Sequence, residues 1–105
     1  MTERGKRKRT PSLSTVAVLR ALAGGATYGF DIMDATGLAS GTVYPILARL
    51  ERRRLVESSW EDPRLPQVRG RPARKYYRLT AAGRDVLEAE TARYRELGGL
   101  RVEEA

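Results

Sequence analysis

One stretch of the chain, SGTVYPILARL at residues 40–50, separates its apolar residues from its small and polar ones. The apolar residues follow the i, i+3, i+4, i+7 spacing of a helical face that packs against a core. They are Val43, Ile46, Leu47 and Leu50. The pattern predicts a helix over about residues 40–53 with one buried face and one solvent face.

The solvent face of this predicted helix is small and able to form hydrogen bonds. Its residues are Gly41, Thr42, Pro45, Ala48, Arg49 and Arg52, with Tyr44 at the edge. Pro45 belongs to the helix start under either of two boundaries. With Thr42 as N-cap, Pro45 replaces an N–H that lacks a partner anyway, and with a start near Ser40 it bends the first turn. Small residues here allow a second molecule to come close.

A first helix is predicted over residues 12–23, with a Ser12 or Ser14 cap and a stop at Gly24. Its apolar residues go almost completely around the helix. A helix of this kind is buried on more than one side, so one side can face the core and another a partner.

A second helix is predicted over residues 27–36, with Thr27 as its cap and Gly37 at its end. A tight glycine-containing turn then leads into the helix at 40–53. Two helices joined in this way are a helix-turn-helix candidate.

Two short segments after the third helix are typical of β-strands. In LVESSW at 55–60, successive residues fall on alternate faces, with Leu55, Glu57 and Ser59 on one and Val56, Ser58 and Trp60 on the other. RKYYRL at 74–79 is rich in aromatic residues. The connection between them has three prolines, and residues 64–78 carry six basic residues and no acid. An antiparallel hairpin with a long basic tip, placed after a helix-turn-helix, is the wing of a winged helix. We expect the core of the hairpin to contain Trp60, Tyr76 and Tyr77.

A last helix is predicted over residues 80–98, followed by a flexible tail at 99–105. Its apolar stripe has no later domain to pack against, so its expected partners are the first helix and a second copy of the chain. The predicted dimer interface consists of Val16, Leu19, Val86, Leu87, Tyr94 and Leu97. The fold class is therefore mainly α with a small β-hairpin, a winged helix-turn-helix over 12–79 plus a C-terminal dimerisation helix.

Composition removes most catalytic chemistry from consideration. The 105 residues, enough for one domain, include no cysteine and no histidine, which excludes disulfides, zinc fingers, and Cys or His catalysis. No two acids form a recognisable hydrolase motif. Arg20 interrupts the apolar run near the N-terminus, which is too short to span a membrane. We expect a cytoplasmic non-enzyme with no cofactor, no metal and no membrane partner.

Charge is segregated along the chain. The net charge is +7; residues 1–79 carry 16 basic and 7 acidic residues, and residues 80–105 carry 4 and 6. Segregated positive charge indicates a polyanionic partner, and arginine, the commoner cation here, binds phosphates and guanine edges. The polar basic arm at residues 1–11, which we expect to be disordered, either reaches a minor groove or adds non-specific affinity.

Four segments, TYGFDI, SGTVYPILARLE, RRLVESSWE and GRPARKYYRLTAAGRDVL, together resemble the PadR family of bacterial transcriptional regulators. The similarity covers roughly residues 13–90 and is specific in order and spacing. It is closest to the short subgroup with a single C-terminal helix. The chain departs from the family where Ala39-Ser40 replaces the usual Ser-Pro, and its wing insert at 61–72 is longer and more basic.

The resemblance implies a homodimer that binds palindromic operators, usually as a repressor, and that often releases DNA when a small-molecule effector binds near the dimer interface. Carried over by position, the resemblance implies phosphate contacts for Tyr28 and Tyr44, and backbone contacts for Arg74 and Lys75 at the base of the wing. It places Gly41, Thr42 and Pro45 at the groove. With the helix-three and wing-tip residues added, the predicted double-stranded DNA contacts are Tyr28, Ser40, Gly41, Thr42, Tyr44, Pro45, Arg49, Arg69, Arg71, Arg74 and Lys75.

Alternatives remain for single residues and for the whole chain. Arg49 reads a guanine or pairs with Asp34 or Glu51 beside the helix. We predict a sequence-specific regulator with the third helix in the major groove and a basic wing on the flanking DNA. The rivals are an architectural DNA binder without sequence preference and a winged helix that serves as a protein-interaction adaptor.

Overall fold

The computed structural model describes residues 11–64 and 70–104, with side chains of the last helix described to Leu97. Four helices and a two-stranded antiparallel sheet follow one another along the chain, as the predicted fold class requires. They are α1 (Leu13–Ala23), α2 (Gly29–Thr36), α3 (Ser40–Arg52), β1 (Val56–Trp60), β2 (Lys75–Leu79) and α4 (Ala81–Glu104). Residues 1–10 of the predicted arm at 1–11, and the predicted contact Arg69, lie outside the described residues.

The start of α1 uses the first of its two candidate caps. The hydroxyl of Ser12 accepts a hydrogen bond from the backbone N–H of Thr15 at 3.1 Å. At the other end, Gly25 has φ 110°, and the N–H of Ala26 reaches back to the carbonyl of Ala21 at 3.0 Å. This left-handed turn needs glycine, which explains why the predicted stop is sharp.

The start of α2 differs from the prediction that Thr27 caps it. Tyr28 occupies the N-cap position without a side-chain hydrogen bond. The carbonyl of Thr27 instead accepts from the N–H of Tyr77 at 2.7 Å, and Tyr28 pairs with Tyr76 in an isolated antiparallel bridge. The segment before α2 therefore joins the edge of the hairpin. Gly37, with φ 76°, ends α2 as predicted.

The boundary of α3 near Ser40 is confirmed, and Thr42 is not its N-cap. Ala39 holds the cap position, and its carbonyl accepts from the N–H groups of Thr42 and Val43. Pro45 is consequently the sixth helical residue, and it has no N–H to donate to the carbonyl of Gly41.

The end of α3 is a Schellman motif with arginine at its left-handed position. The N–H of Leu55 bonds the carbonyl of Leu50 at 2.9 Å, and the N–H of Arg54 bonds the carbonyl of Glu51 at 3.0 Å. Arg54 has φ 62°, the one positive φ outside glycine among the described residues. Glycine usually holds this position because a Cβ is strained there.

The strands pair in a register that runs from Val56 opposite Leu79 to Trp60 opposite Lys75. Val56 and Tyr77 point into the core, and Tyr77 is only 8% exposed. Trp60 is 66% exposed, so the prediction that it lies in the hairpin core is wrong. It occupies the last rung of the ladder, beyond the reach of the helices that cover the other end.

The core lies between the first three helices and the inner face of the hairpin. All four apolar residues that define the predicted buried face of α3 are buried, none more than 4% exposed. Val16 and Leu19 are buried within this same chain, at 5% and 0% exposure. The prediction that they face a second copy is therefore wrong, because α4 and the other helices already cover them. The exposed apolar residue of α1 is Leu13.

The junction between the hairpin and α4 explains the segment TAAG. The hydroxyl of Thr80 accepts from the N–H of Gly83 at 3.0 Å and donates to the carbonyl of Arg54 at 2.9 Å. The backbone of Gly83 passes so close to the carbonyl of Leu55 that a Cβ would overlap it. The glycine therefore fixes how closely α4 packs on the end of α3.

The last helix is longer than the sequence predicted. It continues through Gly98 and Gly99 to Glu104, so the predicted end and the predicted flexible tail at 99–105 are wrong over that range. A glycine inside a helix costs about 1 kcal/mol relative to alanine. It ends a helix only where the backbone turns left-handed, and here both glycines are helical.

Candidate nucleic-acid interface

The outer face of α3 is exposed along its whole length. The predicted groove residues on it all lie in solvent, and they are Ser40, Gly41, Thr42, Tyr44, Pro45 and Arg49. They alternate at helical spacing with the buried residues of the inner face. The sequence pattern therefore predicted both sides of this helix correctly.

Arg49 makes neither of the two ion pairs that were its alternatives. Within the described residues, its guanidinium is bonded to neither Asp34 nor Glu51. Glu51 lies 3.8 Å from the Nζ of Lys75 and accepts a hydrogen bond from the hydroxyl of Ser58. These contacts hold Glu51 toward the wing and leave Arg49 on the exposed face.

The base of the wing is organised around Glu61, whose carboxylate is only 4% exposed. Arg71 donates to both carboxylate oxygens, at 2.6 and 3.0 Å. The backbone N–H of Arg74 donates at 2.9 Å and the hydroxyl of Tyr76 at 3.3 Å. The hydrogen bond from Arg71, followed by those of the other donors, lowers the pKa of Glu61 from 4.5 to about 2, against the effect of burial.

This network changes the role of Arg71. The sequence predicted a wing-tip cation free to bind phosphate, but both ends of its guanidinium are engaged by Glu61 and its side chain is only 21% exposed. Arg71 therefore positions the wing base. Sequence reasoning missed Glu61, although it is one of only two acids in the insert at 61–72.

Next to this network lies an open cleft of about 710 Å³ between the start of α2, α3 and the wing. We call it the aromatic cleft, and the residues that define it are Tyr28, Phe30, Tyr44, Trp60, Arg74 and Lys75. The cleft brings together five of the predicted DNA contacts from three distant parts of the sequence, since Arg71 also lines it. Phe30 and Trp60 were not predicted to belong with them.

Cations in the cleft lie against aromatic rings. The guanidinium carbon of Arg74 is 4.2 Å from the ring centroid of Tyr28, which meets Tyr76 edge to face at 5.9 Å. The Nζ of Lys75 lies 5.8 Å from the ring centroid of Trp60 and 5.7 Å from that of Tyr77. The rings hold both cations in place without removing their charge.

Tyr44 is positioned by a glycine fifteen residues earlier. Its ring lies against the backbone of Gly29, where a Cβ would collide with the hydroxyl. Since Gly29 is the first residue of α2, this contact ties α3 to the start of α2. Tyr28 and Gly29 at the start of α2 and Tyr44 of α3 therefore belong to one structural unit.

Comparison with known families agrees with this geometry. The family model of the transcriptional regulator PadR-like family matches residues 18–89, which include the second half of α1, all of α2 and α3, and both strands. The chain belongs to this family. The match covers α4 only to its first part, up to Ala89.

Solved structures of PadR regulators superpose on this PadR-like regulator over most of their length. A PadR family regulator from hypervirulent Clostridium difficile R20291 is 27% identical, with a TM-score of 0.75 over 88% of this chain and 97% of that one. A PadR-like transcription factor from Bacteroides fragilis is also 27% identical, with a TM-score of 0.70 over 87% and 88%.

A more distant similarity shows the fold alone. A point mutant of MepR from S. aureus, bound to an oligodeoxyribonucleotide, is 24% identical to this PadR-like regulator. The TM-score is 0.65, over 90% of this chain and 65% of that one. No curated protein sequence matches the chain significantly.

Two further observations concern the described part of this regulator. None of its helices is long and apolar enough to cross a membrane. Over the same ranges, no group of three or more Asp or Glu side chains is arranged to hold a metal ion.

Proposed function

We propose that this regulator is a homodimeric repressor that binds a palindromic operator, with α3 in the major groove and the wing base on the flanking backbone. The observation that carries the proposal is the exposed outer face of α3, which continues without a break into the cationic aromatic cleft. Tyr44 belongs to both surfaces.

The outer face of α3 has the chemistry of groove recognition. Gly41 and Pro45 keep the first turns slim, so base edges can come close to the helix. Thr42 supplies a hydroxyl in the first turn, where recognition helices contact bases, and Arg49 supplies a guanidinium from the last turn of the same exposed face. A guanidinium in this position suits the O6 and N7 acceptors of guanine.

The wing base supplies phosphate contacts that orient the helix. Arg74 and Lys75 both line the cleft, and phosphate contacts fix register without reading sequence. The structure of MepR bound to an oligodeoxyribonucleotide gives a precedent for DNA binding on this fold. The family supplies the regulatory role.

Dimerisation is proposed to use α4. Val86 and Leu87 are half-buried against the core of the same chain, so they support α4 and have only part of their surface left for a partner. Tyr94 is half-buried and Leu97 is 43% exposed, which leaves the distal part of α4 as the apolar surface for a second copy. A closed twofold dimer explains a palindromic site, with half-sites about one helical turn apart.

A small-molecule effector would act from the side of α4. A cavity of about 760 Å³ lies between α1, β2 and α4, and its walls include Leu22, Leu87 and Arg95. Because α4 forms one wall, a bound molecule there would move the proposed dimer helix relative to the DNA-binding domain. This part of the proposal extends the family expectation to a specific place.

The test is fluorescence anisotropy with the duplex upstream of the protein's own gene, against a shuffled duplex, at 50 and 200 mM salt. With roughly six phosphate contacts, affinity should fall on the order of a thousandfold across this range. Thr42→Ala and Arg49→Ala should weaken binding of the native duplex more than of the shuffled one. Arg84→Ala, which removes an exposed cation of α4, serves as the charge-matched control.

The outcomes separate the candidate functions. A strong preference for the native duplex supports a specific repressor. Equal affinity for both duplexes would assign the protein to architectural DNA binding. Absence of binding at low salt would refute the DNA interface and leave the protein-interaction adaptor.

A further inference from the structure

Large apolar side chains are exposed at the aromatic cleft. Of the five large hydrophobic residues that are exposed in the described part of the chain, three line the cleft: Phe30 at 67%, Tyr44 at 47% and Trp60 at 66%. The other two, Leu13 and Leu97, lie on α1 and α4. Exposed apolar surface gathered in one place indicates a binding surface.

Phe30 and Trp60 lie outside the core of the fold. Ile32 fills the core position of α2 at 0% exposure, and Tyr77 contributes to the core from β2 at 8%. The two rings instead line the cleft, Phe30 from α2 and Trp60 from β1. The cations Arg74 and Lys75 line the same cleft.

The charges in the cleft favour an anion. The carboxylate of Glu61 is taken by Arg71, and that of Glu51 is shared between Lys75 and Ser58. In the described ranges, no carboxylate lies in ion-pair contact with Arg74. The cleft therefore offers positive charge next to exposed apolar rings.

We propose that the aromatic cleft holds one sugar–phosphate strand of the operator, with Phe30 and Trp60 against deoxyribose and Arg74 and Lys75 on the phosphates. This assignment rests on the proposed function, and it adds two DNA-contacting residues that carry no charge. A DNA strand presents apolar sugars next to anionic phosphates, and the cleft presents exposed rings next to cations. The cleft is also continuous with α3 through Tyr44.

The two kinds of residue act differently on the salt dependence of binding. Each phosphate contact contributes about 0.9 to the slope of log K against log salt, because it releases counterions. Lys75→Ala should therefore weaken binding and lower the slope by about 1. A contact between a ring and deoxyribose releases no counterion, so its loss should weaken binding equally at all salt concentrations.

The experiment measures anisotropy of the native duplex from 50 to 300 mM salt for five variants. Phe30→Ala and Trp60→Ala should each bind about five- to tenfold more weakly, with the wild-type slope. Trp60→Phe, which keeps an aromatic ring, should recover most of the affinity. Ser59→Ala, an exposed neighbour on β1 that does not line the cleft, is the matched control. Thermal unfolding of each variant checks that the exposed positions leave the fold intact.

Trp60 gives a direct second readout because it is the only tryptophan of the chain. DNA binding should shift its emission to shorter wavelength and protect it from acrylamide. The assignment is supported if Trp60 is protected in the complex and if Phe30→Ala and Trp60→Ala lose affinity while the slope of log K against log salt stays at its wild-type value. Wild-type DNA affinity in both ring-to-alanine variants, or an unprotected Trp60 in the complex, would overturn it. If the wild-type protein itself binds no duplex, the proposed function fails first and independently.

Discussion

Two glycine-to-alanine changes in helices should have opposite effects on stability. Gly83 is the third residue of α4, and Gly41 is the second residue of α3. At Gly83, a Cβ would overlap the backbone carbonyl of Leu55 and press on the side chain of Leu79, whereas at Gly41 it would meet nothing. Close contacts, rather than helix propensity, should therefore decide whether alanine at position 83 raises or lowers the stability of the protein.

The magnitudes follow from this geometry. Overpacking against backbone costs about 1–3 kcal/mol. The helix must also move away from the carbonyl of Leu55, which weakens the hydrogen bond from the N–H of Thr80, now 3.0 Å long, by about 1 kcal/mol. Alanine returns at most about 1 kcal/mol in helix propensity. Gly83→Ala should then destabilise the protein by about 2 kcal/mol, and Gly41→Ala should stabilise it by about 0.5 kcal/mol.

The assay is urea and thermal unfolding followed by circular dichroism at 222 nm. A domain of this size changes its melting temperature by about 4–8 °C per kcal/mol, so Gly83→Ala should melt roughly 10 °C lower and Gly41→Ala a few degrees higher. An unchanged urea m-value would show that the compactness of the unfolded state is unaffected. Equal or greater stability of Gly83→Ala would refute the close approach between α4 and the end of α3.

Three further predictions concern single contacts. Because the folded pKa of Glu61 is lowered from 4.5 to about 2, the stabilisation that its carboxylate provides is complete above pH 4.5 and is lost as pH falls toward 2; unfolding curves over this range should show a larger loss of stability in wild type than in Glu61→Gln, and equal losses would contradict this. Arg54→Gly should stabilise the protein by about 1 kcal/mol in urea unfolding, since it removes left-handed strain at φ 62°; a loss of stability would mean that the Arg54 side chain supports the fold. Gly29→Ala should displace the ring of Tyr44 and weaken DNA binding severalfold in anisotropy, with Ser59→Ala, an exposed position outside the cleft, as the control; unchanged affinity would remove Tyr44 from the interface.

The sequence predicted the two faces of α3 well because helical periodicity records which side is buried. The inner and outer faces of α3 are as predicted, including the exposure of Thr42 and Arg49. Local capping was less certain from sequence, since Thr27 and Ser14 have the right chemistry and the structure uses neither as a cap. Hydrogen bonds to the hairpin, formed far along the chain, decide the start of α2.

The misassignments share a physical cause. Apolar residues around α1 indicate burial, but sequence alone cannot tell whether the covering surface belongs to the same chain, and for Val16 and Leu19 it does. Trp60 was placed in the core because of its residue type, although its position on the last rung leaves it uncovered. The role of Arg71 depends on Glu61, ten residues away, which no local pattern joins to it.

The contact between Glu61 and Arg71 also bears on how such regulators can diversify. It joins the two ends of the connection between β1 and β2, so the strands meet in the same way whatever chain lies beyond it. Joining two fixed ends by a longer loop costs little, about 0.6 kcal/mol for each doubling of its length. Insertions between Asp62 and Gly70 should therefore leave the pairing of the two strands unchanged, so that family members can vary there without altering the helix-turn-helix.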